Sequence, residues 1–344
     1  MTDRVRFAFT RQAASCAALG SPFMQRLMTL LADCWPDWPA PALVERITHW
    51  PGEIGPEAAS VPLRLASGLH ALVLSGDTAL AAVWPPANAA DLEPVVMQAL
   101  ARHETALLTI LERAPQTNEI RRSATLIAVA HLLEAKFGLP LRLSELGASA
   151  GLNLWFDHYG LTAGGQAFGA ADPVLQLAPD WRGALPPMPP FTVVDRAGVD
   201  LAPLRAGIAA DELRLLSCLW PDQPERMART RAALTLPPAP VAAGDAVDWL
   251  AGRLAQPWEG QVHLVYHTIA WQYFPADVQA RGAALLAEAG RRSAAPLARF
   301  GMEPDDSGLP GAALSLQLWP ENRTIALGRA GFHGEWVDWS VTSL

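Results

Sequence analysis

The sequence predicts an α/β protein: a Rossmann-like, mostly parallel, doubly wound sheet with a C-terminal antiparallel hairpin, preceded by a helical N-terminal region. Three observations predict it. Apolar residues in the first third recur at helical spacing, strand-like and helical stretches alternate from Thr117 onward, and the C-terminal segment alternates with period two around a turn.

Taken in order, Phe23, Leu27, Leu30 and Leu31 repeat on one helical face, and LARHETALLTILER gives an amphipathic stretch from Ala99 to Leu111. The proline-rich segments WPDWPAP and WPPAN break this region into pieces. Residues 1–116 therefore read as a helical cap region, and 117–344 as the Rossmann-like domain with a Gly- and Pro-rich insertion near 160–190. RRSATLIAVAHLLEAKFG puts Leu126, Ala130, Leu133 and Phe137 on one face, and Gly138 then Pro140 supply the stop. LRLSEL is a short strand, and GLNLWFDHY reads as a helix that follows a turn of small residues. FTVV and AGVDL are strand-like, LRLLSCLW and ERMARTRAAL helical, and QVHLVYHTI is an apolar strand of the buried kind. PADVQARGAALLAEAG is a helix and PLARFGME a strand; ALSLQLW and TIALGRAGFHGEWVDW pair around Pro320 to Arg323 as a hairpin.

A length of 344 residues is enough to bury a large core. The net charge of −8 argues against a nucleic-acid partner, since holding a phosphate backbone needs a basic face. Cys16, Cys34 and Cys218 are too few and too widely spaced for a disulfide framework or a zinc cluster, so a reducing cytoplasm is expected. No uninterrupted apolar run approaches a membrane span. His333, Glu335 and Asp338 lie close together, but their spacing fits no metal-ligand pattern, and no metal is expected.

The chemistry concentrates in ELGASAGLNL. Gly147-Ala148-Ser149-Ala150-Gly151 spells G-x-S-x-G, the nucleophile elbow of serine hydrolases, for which Asp200 or Asp245 and then His267 or His333 would complete a triad. No oxyanion-type HGGG segment precedes it. The rival reading adds Glu145. An acid at the end of the first strand, two residues before a run of small residues, resembles the way class I methyltransferases receive S-adenosylmethionine. The small residues let the backbone approach the ligand, and a helix N-terminus offers its unpaired N–H groups.

Later segments extend that resemblance. AGVDLAPL resembles the second-strand segment whose acid binds the ribose hydroxyls, here Asp200 with Asp195 as fallback; VAAGDAVDWL resembles the segment whose acid contacts adenine, here Asp245. QVHLVYHTIAWQYFP looks like the fourth strand and the loop beside the reacting methyl group. Over nearly its whole length the chain resembles a bacterial family known as domain of unknown function 2332. The residues that carry the likeness are RQAASCAALGSP, NEIRRSA, ELGASAGLNL, WPDQPERMARTRAAL, HTIAWQYFP and GFHGEWVDW. The resemblance implies a methyltransferase-like fold with Glu145, Gly147, Ser149, Gly151, Asn153, Asp200, Asp245 and Asn118 around the cofactor. Two departures stand out: Ser149 replaces the middle glycine of the usual turn, and Asp200 lies far beyond it.

Methyl transfer from a sulfonium is in-line displacement at carbon, so the protein aligns the acceptor and can take its proton. His267 is the candidate base, with Tyr266 and Tyr273, and Trp271 beside them, as walls; a hydrogen-bonded structural role for His267 is the alternative. No Asn-Pro-Pro-Tyr segment occurs there, which disfavours a nucleic-acid amine as acceptor. The expectation is an S-adenosylmethionine-dependent methyltransferase acting on a small molecule. A serine hydrolase using Ser149 and a non-catalytic Rossmann-like binding module are the alternatives.

Overall fold

The computed structural model describes residues 2–56, 58–87 and 91–344 and divides into two compact units, Met1–Thr117 with Ile208–Thr230, and Asn118–Gly207 with Arg231–Leu344. Asn88, in the predicted break WPPAN, lies outside the described residues. No helix among the described residues is long and apolar enough to cross a membrane.

The first unit is helical. Its helices include Thr2–Ala18, Pro22–Asp33, Pro41–Thr48, Val61–Leu74, Leu92–Arg102 and Glu104–Leu111. Proline opens two of these, Pro22–Asp33 and Pro41–Thr48, because its missing N–H is one that a first helical turn leaves unpaired anyway. Phe9, Leu27, Leu31, Trp35, Leu65, Trp84 and Leu107 form its core. The stretch expected to run unbroken from Ala99 to Leu111 is interrupted at His103, whose backbone leaves the helical region while its Nε2 lies 2.9 Å from Asp77 Oδ2.

The second unit is α/β. Its strands are β1 (Leu141–Leu146), β2 (Tyr159–Ala163), β3 (Gln166–Gly169), β4 (Leu175–Leu177), β5 (Asp180–Gly183), β6 (Val193–Asp200), β7 (Val241–Ala243), β8 (Val262–Thr268), β9 (Leu297–Glu303), β10 (Ala312–Trp319), β11 (Arg323–Ala330) and β12 (Trp336–Trp339). Nine of them form one sheet in the order β5-β12-β11-β10-β9-β8-β1-β6-β7, and its stretch β7-β6-β1-β8-β9 is parallel throughout. The expected terminal hairpin is β10–β11, antiparallel with Leu318 opposite Arg323 and with Asn322 in the left-handed region, as a three-residue connection requires.

β1 and β8 are both buried along their whole length, as the apolar run of β8 predicts and the alternating polar residues of β1 do not. One face of the sheet packs Leu146, Val199 and Val265 against Leu250 and Leu286 of the helices Ala246–Leu254 and Ala276–Arg292. The helix Ser123–Phe137, buried from Ser123 to Leu133, ends on Gly138 in the left-handed conformation, as its sequence predicts.

Three local expectations need correction. GLNLWFDHY is not an α-helix: a 3-10 stretch, Leu152–His158, kinks at Trp155 and runs directly into β2. Two carbonyls of this stretch turn to side chains, Leu152 O accepting from Tyr159 Oη at 2.7 Å and Leu154 O from Arg196 Nη1 at 2.7 Å, so distant residues compete with a regular helical ladder. FTVV and AGVDL belong to one strand, β6, whose central charges are matched: Asp195 pairs with Arg142 and Arg253, and Arg196 with Asp157. Residues near 160–190 carry strands of their own. β2, β3 and β4 make a small sheet joined by the Gly164-Gly165 turn, and β5 extends the far edge of the main sheet by pairing with β12.

Candidate functional site

Consecutive strand residues point to opposite faces, so the parallel register sorts the polar side chains at the carboxyl ends of the strands into two groups. Glu145 lies opposite Tyr266 in the β1–β8 pair, and the two share a face; His267, Arg299 and Glu303 share the other.

On the first face, Glu145 is buried, and the Tyr266 hydroxyl donates to its Oε2 at 3.4 Å and to Asn153 O at 3.2 Å. Burial pushes the Glu145 carboxyl well above the usual carboxylate range, and the charge of Asp200 adds to this; Tyr266, Arg122 and the Asn153 side chain only partly offset it. Burial, then the charge of Glu145, likewise pushes the Tyr266 hydroxyl up. The site therefore favours the neutral acid of Glu145 more than an exposed position would.

The turn after β1 is held by its own surroundings. Asp200 Oδ2 accepts from Ser149 N at 2.9 Å while Oδ1 accepts from Ala202 N at 2.9 Å. Asn118 Oδ1 accepts from Leu152 N at 2.9 Å, and Ser123 Oγ donates to Asn153 Oδ1 at 2.8 Å. Gly147 and Gly151 both have positive φ, and a Cβ on Gly147 would lie 2.6 Å from Ala270 Cβ, so this glycine also admits the loop that follows β8.

Two side-chain-bearing residues take the left-handed conformation at the carboxyl ends of adjacent strands: Ser149 at φ 53° after β1, and Ile269 at φ 52° after β8. Such a backbone is strained for any L-residue and most of all for a β-branched one. Ser149 Oγ is buried with no hydrogen-bond partner, where a hydrolytic elbow needs a base within reach.

On the opposite face, Arg299 Nε donates to His267 Nε2 at 3.2 Å. That nitrogen must then be unprotonated, so Nδ1 carries the proton and donates to Glu303 Oε1 at 2.8 Å. Glu303 also accepts from Ala270 N and Trp271 N, both at 3.0 Å, and from Gln272 N at 3.4 Å. Burial alone would raise the Glu303 carboxyl, but His267 and these backbone donors outweigh it and hold it below the ordinary value. His267 is pulled below its ordinary value chiefly by burial, and it stacks on Trp271 with ring centroids 5.0 Å apart.

Of the residues singled out from the sequence, Asn118, Glu145, Ser149, Asn153, Asp200 and Tyr266 thus come together around the turn that holds Gly147 and Gly151. The others are engaged elsewhere, although Asp245 follows β7 beside Asp200, whose backbone O accepts from Gly244 N at 3.0 Å. Asp245 caps the helix Ala246–Leu254 through Val247 N and Asp248 N and pairs with Arg281. Tyr273 is 76% exposed, and His267 faces away from Tyr266. Asp195, the fallback, sits within β6 in its pairs with Arg142 and Arg253. Sequence reasoning passed over Glu303 and Arg299. A signal was present, since PLARFGME ends a predicted strand on an acid just as LRLSEL nearly does.

The fold and this cluster define an α/β protein with buried polar groups gathered at the carboxyl ends of its central parallel strands. The model of a bacterial family described as uncharacterized proteins conserved in bacteria, domain of unknown function 2332, matches residues 6–339, and the chain belongs to that family. No curated protein and no solved structure matches it.

Proposed function

We propose that this protein binds S-adenosylmethionine at the carboxyl end of β1 and transfers its methyl group to a small-molecule acceptor, using the parallel part of its sheet in the manner of class I methyltransferases. The carrying observation is the switch point. The parallel order β7-β6-β1-β8-β9 reverses direction between β1 and β8, where open α/β sheets receive ligands, and Glu145, Ser149 and Ile269 cluster there.

The residues fit the cofactor in kind. Glu145 is an acid suited to an ammonium group, and the orphaned Ser149 Oγ is a hydroxyl suited to a carboxylate. Asp200, at the end of β6, is the candidate for the ribose hydroxyls. When bound, the cofactor supplies an electrophilic methyl group. The chain aligns it and excludes water, with Tyr266 orienting Glu145 and with Asp200 and Asn118 bracing the turn. His267, engaged at both ring nitrogens, acts in this reading by holding the loop after β8 rather than as the base.

Calorimetric titration with S-adenosylmethionine and S-adenosylhomocysteine tests this. Micromolar binding that is lost in Glu145→Ala and Asp200→Ala is expected. No heat from the folded protein overturns the reading and makes fluorophosphonate labelling of Ser149, with Ser149→Ala as control, the next experiment. Binding without turnover across an acceptor screen would favour a non-catalytic module.

A further inference from the structure

We propose that ligand binding at the carboxyl end of β1 is proton-coupled: Glu145 is a carboxylic acid in the free protein and gives its proton to solvent when a ligand ammonium group reaches it. The inference rests on the methyltransferase reading, which supplies the ammonium-bearing ligand.

The geometry carries it. Glu145 is only 2% exposed, and the hydroxyl beside it, Tyr266 Oη, stands at a long 3.4 Å. The groups around it come from every neighbouring element: Tyr266 from β8, Asn153 from the 3-10 stretch, Asp200 from β6, Tyr159 from β2 and Arg122 from the segment before Ser123–Phe137. The cation among them, Arg122, donates to Thr268 O at 2.9 Å and Phe332 O at 2.9 Å, and its charge offsets only part of the effect of burial on Glu145. Asp200 carries a like charge, so it favours the neutral acid. An ionised carboxylate in this setting lacks a counter-ion, and an arriving ammonium provides one. The step balances: the carboxyl O–H breaks, its proton passes to buffer, and the ligand N–H donates to the carboxylate.

The sign follows. Binding lowers a raised pKa, so affinity weakens as pH falls through the free-state value, approaching a tenfold loss in affinity per pH unit when one proton is released. Titrating S-adenosylhomocysteine into the wild-type protein in two buffers of different ionisation enthalpy counts the protons directly. About one proton released by the wild type and none by Glu145→Gln is the expected result. Zero release by the wild type, or equal release by both proteins, overturns the inference, the second because it would mean that the ligand itself deprotonates. Should Glu145→Gln fail to fold, the wild-type affinity between pH 5 and 8 decides by itself, a flat profile being the overturning result. A folded protein that binds no S-adenosylhomocysteine sinks this inference together with the proposed function, whereas binding without proton release sinks only the inference.

Discussion

Glu145 and Glu303 are the same residue type at the same end of the same sheet, on opposite faces, and their surroundings treat them in opposite ways. Glu303 receives a histidine N–H and three backbone N–H groups and is held as a carboxylate. Glu145 receives a distant phenol and a side-chain amide, and burial biases it toward the neutral acid. The difference lies in the supply of donors. β8 is followed by a loop whose strained Ile269 turns the next three amides toward Glu303, whereas the amides after β1 already point to Val199 O and Asp200. A buried acid whose donors are complete serves the fold. One whose donors are incomplete remains available to a ligand.

The largest effect expected from this contrast is on stability. Glu303→Ala strands His267 and three amides and should cost about 3–5 kcal/mol in urea denaturation, whereas Glu145→Gln should not fall below wild type near neutral pH. Equal costs would erase the contrast.

The two acids should also respond to pH with opposite signs. Glu303, held below its unfolded value, contributes stability that is present above that value and lost as pH falls through the native one. Glu145, held above its unfolded value, contributes stability that is complete below about pH 4.3 and lost as pH rises toward its native value. Relative to wild type, Glu145→Gln should therefore gain up to roughly 1.4 kcal/mol per pH unit across that rise. Denaturation curves at a series of pH values would measure it, and parallel profiles for the two proteins would refute it.

Ser149→Gly tests the same face through its backbone. Removing a side chain from φ 53° should raise stability by about 1–2 kcal/mol while weakening S-adenosylhomocysteine binding. A variant that is no more stable would show that the turn is unstrained. The smallest effect belongs to Asp245→Ala, which removes a helix cap at a cost of about 1 kcal/mol and should leave ligand affinity unchanged. Loss of affinity there would return Asp245 to the binding site.

Some of the candidate site was legible because it is local. Glu145, the glycine turn and Ser149 lie within seven residues, so the chain itself keeps them together. Asn118 and Asp200 were found through resemblance, and here they brace the turn rather than stand free in it. The grouping of His267 with Tyr266 did not survive, because adjacent residues on a strand cannot share a face. Glu303 escaped notice because its importance depends on donors 31 to 36 residues away in the chain.

The amino-acid pattern by itself determined the alternation of helices and strands, the buried character of β8, the stop at Gly138 and the closing hairpin, since each depends on periodicity or turn chemistry within a few residues. Only the tertiary structure decided that Leu152–His158 does not form an α-helix, that residues near 160–190 build strands of their own, and which of two similar glutamates is biased toward its neutral acid. Those outcomes depend on hydrogen-bond partners and desolvation supplied by distant segments, and a linear pattern of polarity carries no record of them.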